Sequence, residues 1–474
     1  MSGLYPARRR FWRVFRWLLG GLAAAALCSV LAGFAWRPTL LHEPGWTPPS
    51  GTMQFGGGYR LEDFLGDPRA QVITALAFSG GGKGSAAFAH GVLRGMRQMS
   101  VPAMHGPNMS LLDQVEYISA VSGGSFAAAH YGVFRQRSFE TFPAFLHADI
   151  DAEIRSLYLT PWHWVWLLRG GATDDYMAGV YDRLMFHGAT YADMARQGAP
   201  VVSINATDLG TGASFPFTQE GFDLICAGLA PFQVSRAVAA SNGLPVLFSP
   251  INLQSRRPGC PPVTVPPPPQ DADQDELRRV RYIQEWVARF SDTDRVRYLH
   301  LVDGGIADNL ALRALLTIVL TSDLHRIPQE KIVATRRLLL ISVDGEAATD
   351  RQLSQAPRVN GLSVLAATVS GIVIDRYNFD TLLLADSEMR QLVRRLKEAR
   401  CRIGPVLAGH SCDDVEGLVV HLDLRRVTDP AVRARLLATP LALTLPDDLI
   451  DLLVEWGARV VQEDAAIRRF LQGL

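Results

Sequence analysis

Ser122 lies in the run Tyr117-Ile118-Ser119-Ala120-Val121-Ser122-Gly123-Gly124-Ser125. A β-rich stretch leads into it, and the small-residue run Phe126-Ala127-Ala128-Ala129-His130-Tyr131 leads out. A serine is set up as a nucleophile when a sharp strand-to-helix turn exposes its Oγ at a sheet edge, near a helix N-terminus. Strand and helix backbones approach closely at such an elbow, so the residues flanking the serine must be small. The spacing small-x-Ser-x-Gly meets that demand, with Ala120 where the usual pattern has glycine. A Gly-Ser loop without chemistry has the same composition, and the motif alone leaves both readings open.

Two other segments carry chemistry. Leu76-Ala77-Phe78-Ser79-Gly80-Gly81-Gly82-Lys83-Gly84-Ser85 reads as a strand, a glycine turn and the start of a helix. Consecutive glycines leave backbone N–H groups able to converge on a developing oxyanion or a phosphate, and a helix N-terminus adds positive potential. The phosphate-loop pattern requires Gly, four residues, then Gly-Lys-Ser/Thr. Ala77 stands at its first glycine and Gly84 after Lys83, so that pattern fails twice. The remaining competitor is a plain tight turn. In Leu299-His300-Leu301-Val302-Asp303-Gly304-Gly305-Ile306 a short apolar strand ends in a carboxylate followed by two glycines. Such a carboxylate can reach a serine on another strand of the same sheet. A turn aspartate bonded to its own backbone is the commoner fate of an Asp-Gly.

In this order and spacing the three segments resemble the patatin-like phospholipase family. Asn205-Ala206-Thr207-Asp208-Leu209-Gly210-Thr211-Gly212, Ser235 to Ser241 and Leu244 to Pro250 are similar to the family's following strand, helix and strand. The resemblance runs from about Val72 to Pro250, resumes near Arg297 and fades after about Asp344. It implies an α/β fold with a mostly parallel central sheet flanked by helices on both faces. It also implies a Ser–Asp dyad, with Ser122 as nucleophile and Asp303 as base. Gly80, Gly81 and Gly82 supply the oxyanion hole in that reading. Gly123, Gly124, Gly304 and Gly305 form the elbow and dyad turns. No cofactor or metal is implied, and the partners are membrane lipids as substrate. Many family members carry an arginine just after the glycine triplet. Here the stretch is Lys83-Gly84, so Lys83 supplies the charge one position early or is a solvated surface lysine.

A Ser-Asp-His order would need a histidine after Asp303, and His421 is the candidate. His130 lies on the helix leaving the elbow, and His90 on the helix after the glycine turn; both read as packing residues.

The elements that must position these residues span most of the 474 residues. Forty-seven basic and 47 acidic residues give no net charge, hence no global basic field for nucleic acid. No Cys/His cluster has zinc spacing. Residues 1–36 hold Arg8, Arg9, Arg10, Arg13 and Arg16 before an uncharged apolar run from Trp17 to Phe34. The run is long enough to span a bilayer, with its N-terminus inside and the body outside. Arginine greatly exceeds lysine, as in some high-GC bacterial genomes, and with such an origin this topology places the body in the periplasm. A cleaved signal segment is the alternative. Residues 37–70 read as a Pro/Gly-rich linker and 71–474 as the catalytic unit, with 256–295 as an insertion. That insertion contains Pro266 to Pro269 and an amphipathic helix over Asp275 to Phe290, either a lid, a membrane contact or plain core. Further helices are expected over Val364 to Ile374, Met389 to Ala399 and Leu449 to Val461, with strands over Arg337 to Val343 and Val419 to Leu424. Cys226 with Cys260 and Cys401 with Cys412 are candidate pairs in an oxidising compartment; four buried thiols are the alternative.

The functional expectation is a lipid acyl hydrolase of phospholipase A, lysophospholipase or esterase type. The alternatives are a non-catalytic membrane-tethered binding or scaffold protein, and an enzyme for short-chain esters or thioesters.

Overall fold

The computed structural model describes residues 59–60, 67–160, 163–164, 173–245, 248–255, 274–291, 296–321, 327–346 and 373–474, with isolated positions between 16 and 28 and between 263 and 267. Its centre is an eight-stranded sheet. The strands are β1 (Val72–Phe78), β2 (Val115–Val121), β3 (Val201–Asp208), β4 (Ser214–Pro216), β5 (Ile251–Gln254), β6 (Tyr298–Val302), β7 (Arg337–Asp344) and β8 (Glu416–Asp423). They pair in the order β8-β7-β1-β2-β3-β6-β5, with β4 also on β3. The five strands β8, β7, β1, β2 and β3 run parallel. β4, β5 and β6 join antiparallel.

Every residue of β2, β3 and β7 is buried. Strands buried on both faces read as near-continuous apolar runs, and helices must cover both sides of such a sheet. The covering helices include α1 (Gly82–Arg97), α2 (Ser122–Phe134), α3 (Ser138–Leu146), α4 (Ile150–Leu159), α5 (Thr173–Tyr181), α6 (Val234–Ser241), α7 (Gln274–Ser291), α8 (Leu312–Thr321), α9 (Val373–Ile403) and α10 (Asp447–Glu463). One hydrophobic cluster runs from Tyr59 to Ile467.

Helix α10 buries Leu449, Ile450, Leu453, Val454, Gly457, Val460 and Val461, a helical stripe readable in the sequence. That stripe packs on α1 so tightly that a Cβ on Gly91 would lie 2.2 Å from the Val454 carbonyl oxygen. The glycine turn at the head of α1 is thereby anchored by the C-terminal part of the chain. Lys83 N–H also donates to Ala442 O at 2.9 Å, just ahead of α10.

The segment expected to be an insertion connects β5 to β6, which are adjacent antiparallel strands with Gln254 opposite Tyr298. Its helix, α7, buries Ile283 and Val287 in the main cluster, and Val280 is buried as well, so that face is core. The helix expected over Met389 to Ala399 lies inside the longer α9; most of the one expected over Val364 to Ile374 lies outside the described residues. Cys401 and Cys412 form a disulfide. Cys226 is also disulfide-bonded, while Cys260 lies outside the described residues. Among the described residues no helix is long and apolar enough to cross a membrane. Most of the Trp17 to Phe34 run lies outside them.

Candidate active site

Strand pairing brings Ser122 and Asp303 together. Asn205 of β3 pairs with both Val121 and Pro216, so β2 and β4 occupy opposite edges of β3. Thr207 pairs with both Ser214 and Val302, so β4 and β6 are also on opposite edges. β2 and β6 therefore share one edge of β3 and meet end to end from opposite directions. Ala206 is the position between the two pairings. Ser122 and Asp303, each the residue just after its strand, converge there. Ser122 Oγ donates to Asp303 Oδ2 at 2.8 Å.

The serine sits at φ +47°, a left-handed conformation that side chains other than glycine rarely adopt. Such a conformation costs about 1–2 kcal/mol and persists only where the surroundings enforce it. The enforcing contacts are visible. Ser122 N–H donates to Ser241 Oγ at 2.8 Å, and that hydroxyl donates to Asn205 O at 2.7 Å. Ser125 Oγ donates to Ser122 O at 2.6 Å. Gly124 N–H donates to Ser79 O at 3.1 Å. Ala120 is fully buried in β2, so its place in the elbow accommodates a methyl group.

Asp303 is held as firmly. Its Oδ1 accepts from Gly305 N–H at 2.8 Å. Its own N–H donates to Gly243 O at 2.9 Å. Thr207 Oγ1 donates to Asp303 O at 2.8 Å. A Cβ on Gly304 would fall 2.2 Å from Asn205 O, which explains the glycine after the aspartate. Burial pushes the Asp303 carboxyl up to about 6, against the hydrogen bonds from Ser122 and Gly305. A carboxylate with a pKa nearer neutrality is a better proton acceptor than an ordinary aspartate.

The glycine turn lies directly against the elbow. A Cβ on Gly80 would lie 3.4 Å from Ser122 Cβ. Gly80 N–H is committed to Asn309 O at 3.0 Å. The N–H groups of Gly81 (φ +123°) and Gly82 (φ +60°) have no acceptor among the described residues. Of the three glycines expected to form an oxyanion hole, these two thus keep donors available, and Gly80 fixes the turn. Asn309 is the clamp. Its Nδ2 donates to Glu346 Oε2 at 2.6 Å, and its Oδ1 lies where side chains on Gly80 or Gly305 would go.

Lys83 is not a solvated surface lysine. It is buried, and its Nζ donates to Ala148 O at 2.6 Å and Phe145 O at 3.1 Å, with the Phe145 ring 4.9 Å away. Burial lowers its pKa to about 8, opposed by Asp151 and Asp149. The ammonium group sits at the C-terminal end of α3, on the carbonyls of Phe145 and of Ala148 just beyond the helix, where a cation is favoured. None of its hydrogen-bond partners belongs to the dyad or the glycine turn.

The histidines are elsewhere. His130 Nδ1 is 2.8 Å from Ser138 Oγ, within a ring cluster that includes Phe134 and Phe142, and burial lowers its pKa to about 3. His90 packs on Phe139 and Phe142 and is lowered to about 4 by burial. His421 is on β8, three strands from β2, hence about 14 Å away at ordinary strand spacing. Its Nδ1 meets Ser342 Oγ at 3.2 Å. Among the described residues no histidine hydrogen-bonds Ser122 or Asp303. No group of three or more His, Cys, Asp or Glu among the described residues could hold a metal ion.

Ser241, Asn309 and Thr207 were not singled out from the sequence as site residues. Ser241 and Thr207 fall in stretches that carry the family resemblance, and nothing in their spacing signals a role. Asn309 follows Asp303 by six residues on the dyad turn.

The α/β fold with its mostly parallel sheet, the strained serine elbow, the buried aspartate and the glycine turn occur together in this chain. The chain belongs to the patatin-like phospholipase family, whose sequence model matches residues 76–316. Family membership supports lipid acyl hydrolysis at the level of the family. The solved structures similar to the chain include human GIVD cytosolic phospholipase A2, at 13% identity and TM-score 0.43, with 84% of this chain and 62% of that one covered. The same human enzyme in complex with methyl gamma-linolenyl fluorophosphonate and terbium chloride matches at 14% identity and TM-score 0.42, covering 85% and 59%. Its complex with methyl gamma-linolenyl fluorophosphonate matches at 13% and 0.41, covering 86% and 60%. The chain thus spans about three fifths of the solved chains it matches. No curated protein matches it.

Proposed function

We propose that this protein hydrolyses acyl esters of lipids through a Ser122–Asp303 dyad. The observation that carries the reading is the 2.8 Å Ser122 Oγ–Asp303 Oδ2 hydrogen bond at an elbow serine with φ +47°. In this mechanism the Asp303 carboxylate takes the Oγ proton as Oγ attacks the ester carbonyl. Gly81 and Gly82 N–H groups, beside the N-terminus of α1, receive the tetrahedral oxyanion. Collapse expels the alcohol, which takes the proton from Asp303. Water, deprotonated by Asp303, then cleaves the acyl-serine, and Ser122 recovers its proton.

The substrate class rests on family membership and on the apolar N-terminal run. Five arginines ahead of Trp17 to Phe34 support a segment that keeps the body at a lipid surface. Membrane fractionation of the full chain and of a chain lacking residues 1–36 tests that part; equal partition of the two removes it.

The catalytic reading is tested by acyl release from phospholipid and lysophospholipid vesicles, with fluorophosphonate labelling alongside. Wild type should release fatty acid and label once per chain. Ser122→Ala and Asp303→Ala should do neither. Release at the wild-type rate by Ser122→Ala would overturn the proposal.

A further inference from the structure

A third turn lies against the glycine turn and the dyad turn. Strand β7 ends at Asp344, and Gly345 and Glu346 follow it. Ser79, the residue before the three glycines, donates from its Oγ to Asp344 Oδ1 at 2.8 Å. Gly345 N–H donates to Ser79 Oγ at 3.2 Å, and Glu346 N–H to Asp344 Oδ1 at 3.0 Å. A Cβ on Gly81 would lie 3.1 Å from Glu346 Cα. The backbone of Glu346 is therefore packed on one of the two glycines that keep a free N–H.

The side chain of Glu346 reaches the dyad turn instead. Its Oε2 accepts from Asn309 Nδ2 at 2.6 Å. Asn309 follows the short helix Gly305–Asp308 and touches both halves of the site. Its backbone oxygen accepts from Gly80 N–H. Its Oδ1 occupies the space a side chain on Gly80 would fill, and lies 2.8 Å from where a Cβ on Gly305 would be. Gly305 N–H in turn holds Asp303 Oδ1.

A side-chain amide has two ends of opposite character. Only the NH2 end can donate to a carboxylate, so Glu346 decides that the oxygen end packs between the two glycines. A reversed amide would push two hydrogens into that space and set a carbonyl oxygen against the Glu346 carboxylate. The bond to a carboxylate is charge-assisted, among the stronger kinds of hydrogen bond.

We propose that Glu346 is a positioning residue for the hydrolysis: by fixing the Asn309 amide, it holds the turn of the base and the turn of the oxyanion donors at one spacing. This inference rests on the ester-hydrolase reading above. Glu346 acts through Asn309, not on the ester. The role requires an acceptor at the reach of a glutamate side chain; it does not require the negative charge.

The test measures the rate constant for fluorophosphonate labelling of Ser122 in the full chain at pH 8, with chemical denaturation of each variant alongside. Glu346→Gln keeps an acceptor at the same reach and should label within a few-fold of wild type. Glu346→Ala removes the acceptor, and Glu346→Asp keeps the charge but is one methylene too short. Each should label at least about tenfold more slowly, the worth of one hydrogen bond to a charged group. Either short variant that folds serves the comparison. Asn309→Ala should slow labelling as well, and adding Glu346→Ala to it should change the rate by less than about twofold, because the two residues act as a unit. A folded Glu346→Ala or Glu346→Asp protein that labels at the wild-type rate overturns the proposal. So does a Glu346→Gln protein as slow as the short variants, since the charge would then be what matters. Losses that multiply in the double variant also overturn it, because a general loss of stability gives that result and a shared amide does not. A folded wild type that does not label at all would instead bring down the ester-hydrolase reading beneath it.

Discussion

Gly123 and Gly82 are in direct backbone contact: a Cβ on Gly123 would lie 1.9 Å from Gly82 O and 2.6 Å from Gly82 N. The residue after the serine thus sets how far the glycine turn stands from the elbow. Gly123→Ala must push the turn away or tilt the elbow. A displacement near 1 Å at a reacting centre can cost about 10²-fold in rate. The expected outcome is loss of fluorophosphonate labelling by at least that factor. Ala120→Gly, which only restores the usual small residue, should label within a few-fold of wild type.

The pH dependence of labelling follows from Asp303. Its carboxyl is raised to about 6 by burial. The base must be ionised to accept the Ser122 proton, so the rate constant should rise with pH, with a midpoint near 6, and level off above it. At pH 4 the wild type should be almost inert. A midpoint near the ordinary aspartate value would mean that Asp303 is solvated and is not the base held by Ser122 and Gly305.

The elbow and the dyad turn were readable because chemistry and sterics act on the same few residues. Small residues around Ser122 and Gly304-Gly305 after Asp303 are local demands, written in local sequence. The direction of β6 was not readable. A five-residue apolar strand carries no mark of polarity, and only its pairing shows that it meets β2 head on rather than running beside it. The support of the site was equally hidden, because it is remote in the chain. Ser241 holds the Ser122 N–H across 119 residues, and Lys83 reaches α3 rather than the site. The turn at Gly82 leans on Ala442, whose carbonyl oxygen would sit 2.6 Å from a Cβ there. Contacts of this kind depend on how α1 and α10 pack, which periodicity announces only as two buried faces.

The new place of Lys83 makes its own prediction. With Nζ bonded to the carbonyls of Phe145 and Ala148 at the end of α3, Lys83→Met keeps the volume but removes both charge-assisted hydrogen bonds and leaves each carbonyl only its backbone donor. Destabilisation by about 1–3 kcal/mol is expected, read from chemical denaturation. Labelling of the folded variant at Ser122 should stay within a few-fold of wild type. A folded Lys83→Met protein with its labelling abolished would restore the charge-support role.

A raised carboxyl also has a stability cost, and its sign can be worked out. Asp303 binds its proton more tightly in the folded chain than in the unfolded one, so its neutral form supports folding below about pH 4, the unfolded value. That support is lost as pH rises through about 6, because the buried carboxylate must then be ionised. Asp303→Asn has no charge to ionise, and its side-chain oxygen can still accept from Gly305 N–H. The variant should match wild type near pH 4 and be more stable by on the order of 2–3 kcal/mol at pH 8. Asp308 is raised to about 6 by burial as well, while Asp67, Asp149 and Asp448 are lowered by their hydrogen bonds. These groups are common to both proteins, so the difference between wild type and variant isolates Asp303. Equal stability of the two at pH 8 would show that the Ser122 and Gly305 hydrogen bonds fully offset the burial, and that the dyad stores no strain of this kind.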